Sequence, residues 1–301
     1  MNLADITTKK NTERADGILL YGVEGIGKTT FGTDLPSPYF ICFEDGLIEP
    51  EFEGIDRTFP NTWADALRAI DLLINEKHSF KSVVFDTVDS MQKQLFDYIS
   101  ISNNSKNIEC VAGGFGKGYK MASFEIAQLI SRVEQLQKKD VLVCMLCHAS
   151  IRNFPNPEGE SYDRYEPQIQ KDVYSPIKKW ADEILFANYK TSIEKKKATG
   201  GKERVLYTQR CAAYDAKNRF GLPEEIPFDA PTLLTLMKAG GNDGLEKMVE
   251  EIKTLLPGLP ETARVSVEKW LSEKKYTVTS VARTLEKCKK QSTQNGDKVN
   301  A

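Results

Sequence analysis

The sequence has no run of about eighteen apolar residues and no positively charged segment followed by an apolar one at its N-terminus. Neither a membrane-spanning helix nor a secretion signal is expected, so the expected location is the cytoplasm, away from any membrane. Net charge is also slight, 41 Lys+Arg against 43 Asp+Glu giving −2. That balance excludes a generally basic, nucleic-acid-coating surface and leaves room only for a local basic patch. Histidine is scarce, with two residues, and the six cysteines, Cys42, Cys110, Cys144, Cys147, Cys211 and Cys288, are scattered. Several stand in apolar, strand-like runs, which fits reduced core thiols and not a disulfide framework. Cys144-x-x-Cys147-His148 has the spacing of a metal or haem ligand set, yet Val141–Cys147 reads as one buried strand. Residues three apart on a strand face opposite ways, and no second Cys/His pair completes four ligands.

What the chain does have is a short apolar run, Ile18-Leu19-Leu20-Tyr21, followed by Gly22-Val23-Glu24-Gly25-Ile26-Gly27-Lys28-Thr29-Thr30. Gly22-x-x-x-x-Gly27-Lys28-Thr29 is the spacing of a phosphate-binding P-loop, and the preceding strand is the context that confirms it. Glycines let successive backbone N–H groups turn inward as an anion nest at a helix N-terminus. Lys28 would reach the β- and γ-phosphates of ATP, and the Thr29 hydroxyl would sit on Mg²⁺. At 301 residues the chain can bury a full core, with one large domain and one small one expected.

Beyond the loop, a helix over about 28–34 is stopped by Pro36 and Pro38. Tyr39–Phe43 reads as a buried strand ending in Glu44-Asp45-Gly46. In an open parallel sheet the C-terminal strand ends face the ligand. Glu44 is therefore either the carboxylate that orients and deprotonates the attacking water or part of a solvated acidic turn. A helix capped by Asn61 or Thr62 runs to about Lys77. Ser82-Val83-Val84-Phe85-Asp86 is a β-branched strand closing on an acid, the Walker B pattern, in which Asp86 would hold Mg²⁺. Asp89 either assists or is a first-turn helix carboxylate.

A helix near 90–101 gives way to a polar stretch and then to Gly113-Gly114-Phe115-Gly116-Lys117-Gly118-Tyr119-Lys120. This reads as a mobile loop, either a plain connector or a segment whose lysines and aromatics, Lys117, Tyr119 and Lys120 among them, follow a nucleic-acid backbone. Ala122 to Leu136 keep helical spacing, and the strand Val141–Cys147 ends in His148. His148 stands where a polar side chain can touch the γ-phosphate, or it is an ordinary strand-end residue. Residues 149–176 read as a long irregular loop alternating cations and aromatics, including Arg152, Phe154, Arg164 and Tyr165, diluted by acids. A β-hairpin of about 184–189 and 205–212 with a basic tip at 195–202 follows. Lys217 and Arg219 then lie two residues apart on one exposed face. One helix over about 227–237 closes the core, Gly240–Gly244 forms a break, and 245–290 reads as about three short helices.

This order of motifs resembles the RecA-like recombinase core over about residues 15–238. Within that group it is most similar to the short phage ATPases of the Sak-four type, single-strand annealing proteins. The resemblance implies an α/β fold: a RecA-like P-loop NTPase core with a central, mostly parallel sheet flanked by helices, over a core at 15–239. Outside the match, the residues themselves read as an arm at 1–14, a small C-terminal helical appendage at 245–290 and a disordered tail at 291–301. Glu44 falls at the place of the catalytic glutamate and His148 at that of the γ-phosphate sensor, usually glutamine. Lys217 and Arg219 match the cation pair that a neighbouring subunit presents to ATP. Residues 102–120 and 149–176 correspond to the two DNA-binding loops.

The function so implied is ATP-tuned binding of single-stranded DNA and annealing or strand pairing, by a slow DNA-stimulated ATPase. The chain would assemble into a ring or filament with ATP and Mg²⁺ between subunits. Two rivals stand beside it: a helicase- or packaging-type motor, and a nucleotide-gated adaptor that recruits a replication partner or a phage or host single-strand-binding protein.

Overall fold

The structure is a computed structural model that describes residues 14–44, 52–194, 197–240 and 242–272, with 281, 284–285 and 287–289 beyond them. The expected arm apart from Arg14, the pair Asp45-Gly46, the hairpin-tip residues Lys195 and Lys196, and the tail at 291–301 lie outside the described residues. The chain falls into two compact units that change over at Leu20/Tyr21, Asp34/Leu35, His148/Ala149, Glu166/Pro167 and Asp182/Glu183. Two strands, β1 (Gly17–Gly22) and β5 (Leu142–Phe154), run from the first unit into the second.

The first unit is the α/β half. With β2 (Pro38–Cys42), β3 (Asp56–Thr58) and β4 (Ser82–Asp86), its strands take the order β1-β5-β4-β2-β3. β2 pairs in parallel with both β3 and β4, and β4 in parallel with β5, with Cys42 level with Asp86 and Asp86 with Leu146. Strands covered on both faces need no polar alternation, which is why β1 and β4 are wholly buried. α1 (Lys28–Thr33) follows the glycine-rich loop in the chain. α2 (Trp63–Asn75) begins at a capping box in which Thr62 and Asp65 satisfy each other's backbone N–H groups. It buries Trp63, Ala66, Ile70, Leu73 and Ile74, the apolar spacing visible in the sequence. α3 (Val88–Ser102), α4 (Lys117–Gln137) and α5 (Lys171–Trp180) complete this half. A fully buried amide is well used: Gln137 bonds Ala15 O at 2.8 Å and accepts from the Trp180 indole at 2.8 Å.

The second unit is antiparallel. β7 (Glu183–Glu194) and β8 (Lys197–Tyr207) form a hairpin in which Tyr189 lies opposite Arg204. β10 (Glu225–Pro227) adds to β8, β9 (Lys217–Asn218) to β7, and β6 (Tyr162–Pro167) pairs with β5. Its core is aromatic. Phe186 lies 5.0 Å from the Tyr21 ring, 4.9 Å from Tyr165 and 5.2 Å from Tyr214. The Tyr21 hydroxyl donates to the Asp215 and Tyr165 carbonyls, and burial pushes its pKa far above the usual phenol range. α6 (Ala230–Ala239) is capped by Asp229 and ends at left-handed Gly240, after which come α7 (Asn242–Leu255) and α8 (Glu261–Ser272). α7 buries Met248, Val249 and Ile252, part of the face expected of it.

Several expectations need correction. The loop expected at 149–176 is regular: β5 continues to Phe154, β6 follows and α5 begins at Lys171. Its cations and aromatics alternate because they line half-exposed strands, a period of two that mimics an irregular polar stretch. The mobile loop expected up to Lys120 stops earlier, since α4 begins at Lys117 and a 3₁₀ turn spans Ile108–Gly113. The hairpin is longer than expected, and α7 starts inside the supposed break at Gly240–Gly244. β3 had no sequence signature, being three residues with an exposed aspartate.

Candidate nucleotide-binding and sensor residues

In the second unit, the chain leaves β1 at Gly22 and re-enters helix at Lys28. Gly25 and Gly27 take φ values of 69° and 98°, a left-handed region closed to most side chains, so the turn needs glycine at both. Lys28 is buried, with its Nζ 3.3 Å from Gly22 O and 3.2 Å from Val23 O. Glu24, Gly25 and Thr30 are exposed, Val23, Gly27 and Thr29 half-buried, and Ile26 is fully buried, anchoring the loop to the core. Arg204 and Tyr189, which the sequence reading passed over, touch this loop from the hairpin: Arg204 Nη1 donates to Ile26 O at 3.1 Å, and the Tyr189 hydroxyl to Gly25 O at 3.4 Å. An arginine on an exposed strand face carries no sequence signal of its own.

In the first unit, three chemistry-bearing side chains from distant parts of the sequence converge. Glu44, just past β2, accepts hydrogen bonds at Oε2 from Thr87 Oγ1 at 3.1 Å and Ser90 Oγ at 2.9 Å. Asp89, in the first turn of α3, accepts at Oδ1 from the His148 backbone N–H at 3.1 Å and faces His148 Nδ1 with Oδ2 at 3.0 Å. Ligand atoms of Glu44, Asp89 and His148 all lie within 4.8 Å of one another. Burial raises the Asp89 pKa, but the ring and backbone hydrogen bonds of His148 outweigh it and hold the carboxyl at about 2. Asp86, at the end of β4, is buried, and the Asp86–Thr87 peptide is cis. Of these residues the sequence singled out Glu44, Asp86 and His148 and left Asp89 open. Thr87 and Ser90 were missed, although Thr87 directly follows the Walker B strand and Ser90 stands in the first turn of α3.

The remaining sequence candidates are more engaged than expected. Lys217 is half-buried in β9 and Arg219 exposed, with the Arg219 backbone N–H donating to Glu183 Oε1 at 2.7 Å. Lys117 bonds Ala112 O at 3.0 Å, Lys120 pairs with Asp172 at 2.9 Å while 79% exposed, and the Tyr119 hydroxyl reaches Glu109. Arg152 donates to Ser150, whereas Arg164 is buried against Glu166 with its guanidinium 4.1 Å over the Phe154 ring. Tyr165 is stacked within the aromatic core. The expected basic hairpin tip falls on residues whose side chains are not described. No helix among the described residues is long and apolar enough to cross a membrane.

The fit of these residues to a nucleotide and a divalent cation rests on donor chemistry, taken unit by unit. In the second unit the positive-φ glycines and the inward-curled Lys28 suit phosphate, and the Thr29 hydroxyl is a hard oxygen donor. In the first unit the Asp86 carboxylate is another of the kind that Mg²⁺ prefers. The chain belongs to the AAA domain family, matched over residues 15–220, and so carries an AAA-type ATPase domain. It is similar to the SPbeta prophage-derived uncharacterized protein YorG of Bacillus subtilis (strain 168), 25% identical over 175 residues. That alignment takes in 56% of this chain and 49% of the relative, so this chain spans about half the length of the relative it matches.

Proposed function

We propose that this chain is a phage-type, RecA-like ATPase that binds single-stranded DNA in a nucleotide-dependent way and promotes annealing during recombination, at home in the cytoplasm of an infected bacterium. The observation that carries the reading is the convergence of Glu44, Asp89 and His148 within 4.8 Å beside the Walker B strand. In this reading Lys28 binds the β- and γ-phosphates, and Thr29 and Asp86 hold Mg²⁺, which neutralises phosphate charge. Glu44, steadied by Thr87 and Ser90, orients the attacking water and takes its proton. Asp89 holds His148 at Nδ1 and so orients the ring that senses the γ-phosphate. Lys217 and Arg219 complete the charge clamp from a neighbouring subunit in a ring or filament.

The DNA part of the reading draws on exposed cations and aromatics at the start of α4. Phe115 is 99% exposed in its glycine turn, and Lys117 and Lys120, though engaged with Ala112 O and Asp172, are exposed in the next turn. Arg152 is a further candidate, while buried Arg164 and the packed Phe154 and Tyr165 are better read as scaffold. A second reading, a nucleotide-gated adaptor, is favoured by the exposed Tyr98 and Phe124, which lie with Lys117 and Lys120 along one groove. Fluorescence anisotropy of single-stranded DNA, with and without Mg²⁺ and a slowly hydrolysed ATP analogue at two salt concentrations, separates the two. Salt-sensitive binding that shifts with nucleotide supports the annealing ATPase. No binding in either state supports the adaptor.

A further inference from the structure

We infer that Arg204 and Tyr189 are positioning residues of the P-loop, two side chains from paired hairpin positions that hold the crest of the loop in its phosphate-binding shape. The inference rests on reading Gly22–Thr29 as the nucleotide loop. Glycine gives such a loop its shape at the cost of stiffness, and the helix that follows it has no side-chain cap. Lys28 holds the strand end of the loop, on the carbonyls of Gly22 and Val23. The crest, Gly25–Gly27, is met from the other side.

The β7–β8 hairpin makes that contact. Tyr189 and Arg204 lie directly opposite each other across the ladder. The Tyr189 hydroxyl donates to Gly25 O, and Arg204 Nη1 donates to Ile26 O at 3.1 Å. The guanidinium is held in turn: it lies 5.2 Å from the Phe228 ring centroid, and Phe228 packs 5.3 Å from Phe31 in α1. In a planar trans peptide the C=O and N–H point in opposite directions. Fixing Ile26 O on Arg204 therefore aims the Gly27 N–H away from Arg204 and sets its direction. A Cβ on Gly27 would come 2.7 Å from Arg204 Nη1 and 3.6 Å from the Phe228 ring, so the third glycine of the motif makes room for this brace as well as for the turn. One on Gly22 would meet Ala187 O of β7 at 2.6 Å, so the same hairpin presses on the loop at its base. Arginine suits the task because its planar fork can stack and donate at once, which a lysine cannot do.

The test has two arms on the full chain. Hydrogen–deuterium exchange of the Val23–Thr29 amides, without nucleotide, compares wild type with Arg204→Ala, Arg204→Lys and Tyr189→Phe. The MgATP dissociation constant is measured on the same proteins. Arg204→Ala is expected to speed exchange in the loop and weaken MgATP about tenfold, the size of one charge-assisted hydrogen bond. Arg204→Lys should fall between, and Tyr189→Phe should act less. Unchanged loop exchange in Arg204→Ala, or faster exchange spread evenly over β7 and β8, overturns the inference. If wild type binds no MgATP while Arg204→Ala still loosens the loop, the brace stands and the nucleotide reading fails.

Discussion

The parallel and antiparallel units of this chain support their chemistry in different ways. In the first unit, side chains come off the ends of short buried strands or the helix turn that follows, as with Glu44, Asp86 and Asp89, while His148 stands within β5 where its buried run ends. Ladder hydrogen bonds fix where each strand stops, so the chemistry is set by strand length. In the second unit the groups we assign to phosphate binding are backbone amides of a glycine-rich loop, whose crest carbonyls accept hydrogen bonds from side chains of a long hairpin. The difference teaches that a strand-end site is built in by register, whereas a loop site must be braced.

The sharpest break in this comparison is at Lys28. Lys28→Ala removes the only loop cation that contacts the strand-end carbonyls among the described hydrogen bonds. Truncating a buried, charge-paired contact costs about 2–5 kcal/mol, so MgATP binding should fall by about a hundredfold or more in a calorimetric titration. Next comes Phe186→Ala at the centre of the aromatic core. Loss of a buried phenyl group should lower stability by about 3–5 kcal/mol in urea unfolding.

Asp89 sharpens the comparison from the other side. Its folded pKa, about 2, lies below the usual carboxylate value of 3.8. A depressed carboxylate stabilises the fold fully above the unfolded value and loses that contribution as pH falls through the folded one. Wild type should therefore lose about 2 kcal/mol, relative to Asp89→Asn, between roughly pH 5 and pH 1. Urea unfolding of both proteins across that window checks it, and parallel curves would refute the Asp89–His148 link. The smallest effect expected is Thr62→Ala, which breaks the capping box at α2 and should remove about 1 kcal/mol.

Much of the first unit was legible in the sequence, because its strands are buried on both faces and read as unbroken apolar runs closing on Glu44, Asp86 and His148. The P-loop was legible because its glycine spacing is a backbone requirement and not a packing choice. What escaped depends on pairing. β6 and the outer half of β5 alternate in exposure, so Arg152, Phe154, Arg164 and Tyr165 looked like a nucleic-acid-gripping loop. Arg204 and Tyr189 become neighbours of the P-loop only through the β7–β8 register, which no local pattern announces. Asp89 shows the middle case: a first-turn carboxylate is common on any helix, and only the fold brings His148 onto it.

The most direct test of the account is single-turnover ATP hydrolysis by wild type and Glu44→Gln, with MgATP affinity measured on both. The account predicts that Glu44→Gln binds MgATP as wild type does and hydrolyses it at least about a hundredfold more slowly, the loss of a positioned general base. A Glu44→Gln protein that hydrolyses ATP at the wild-type rate would contradict it.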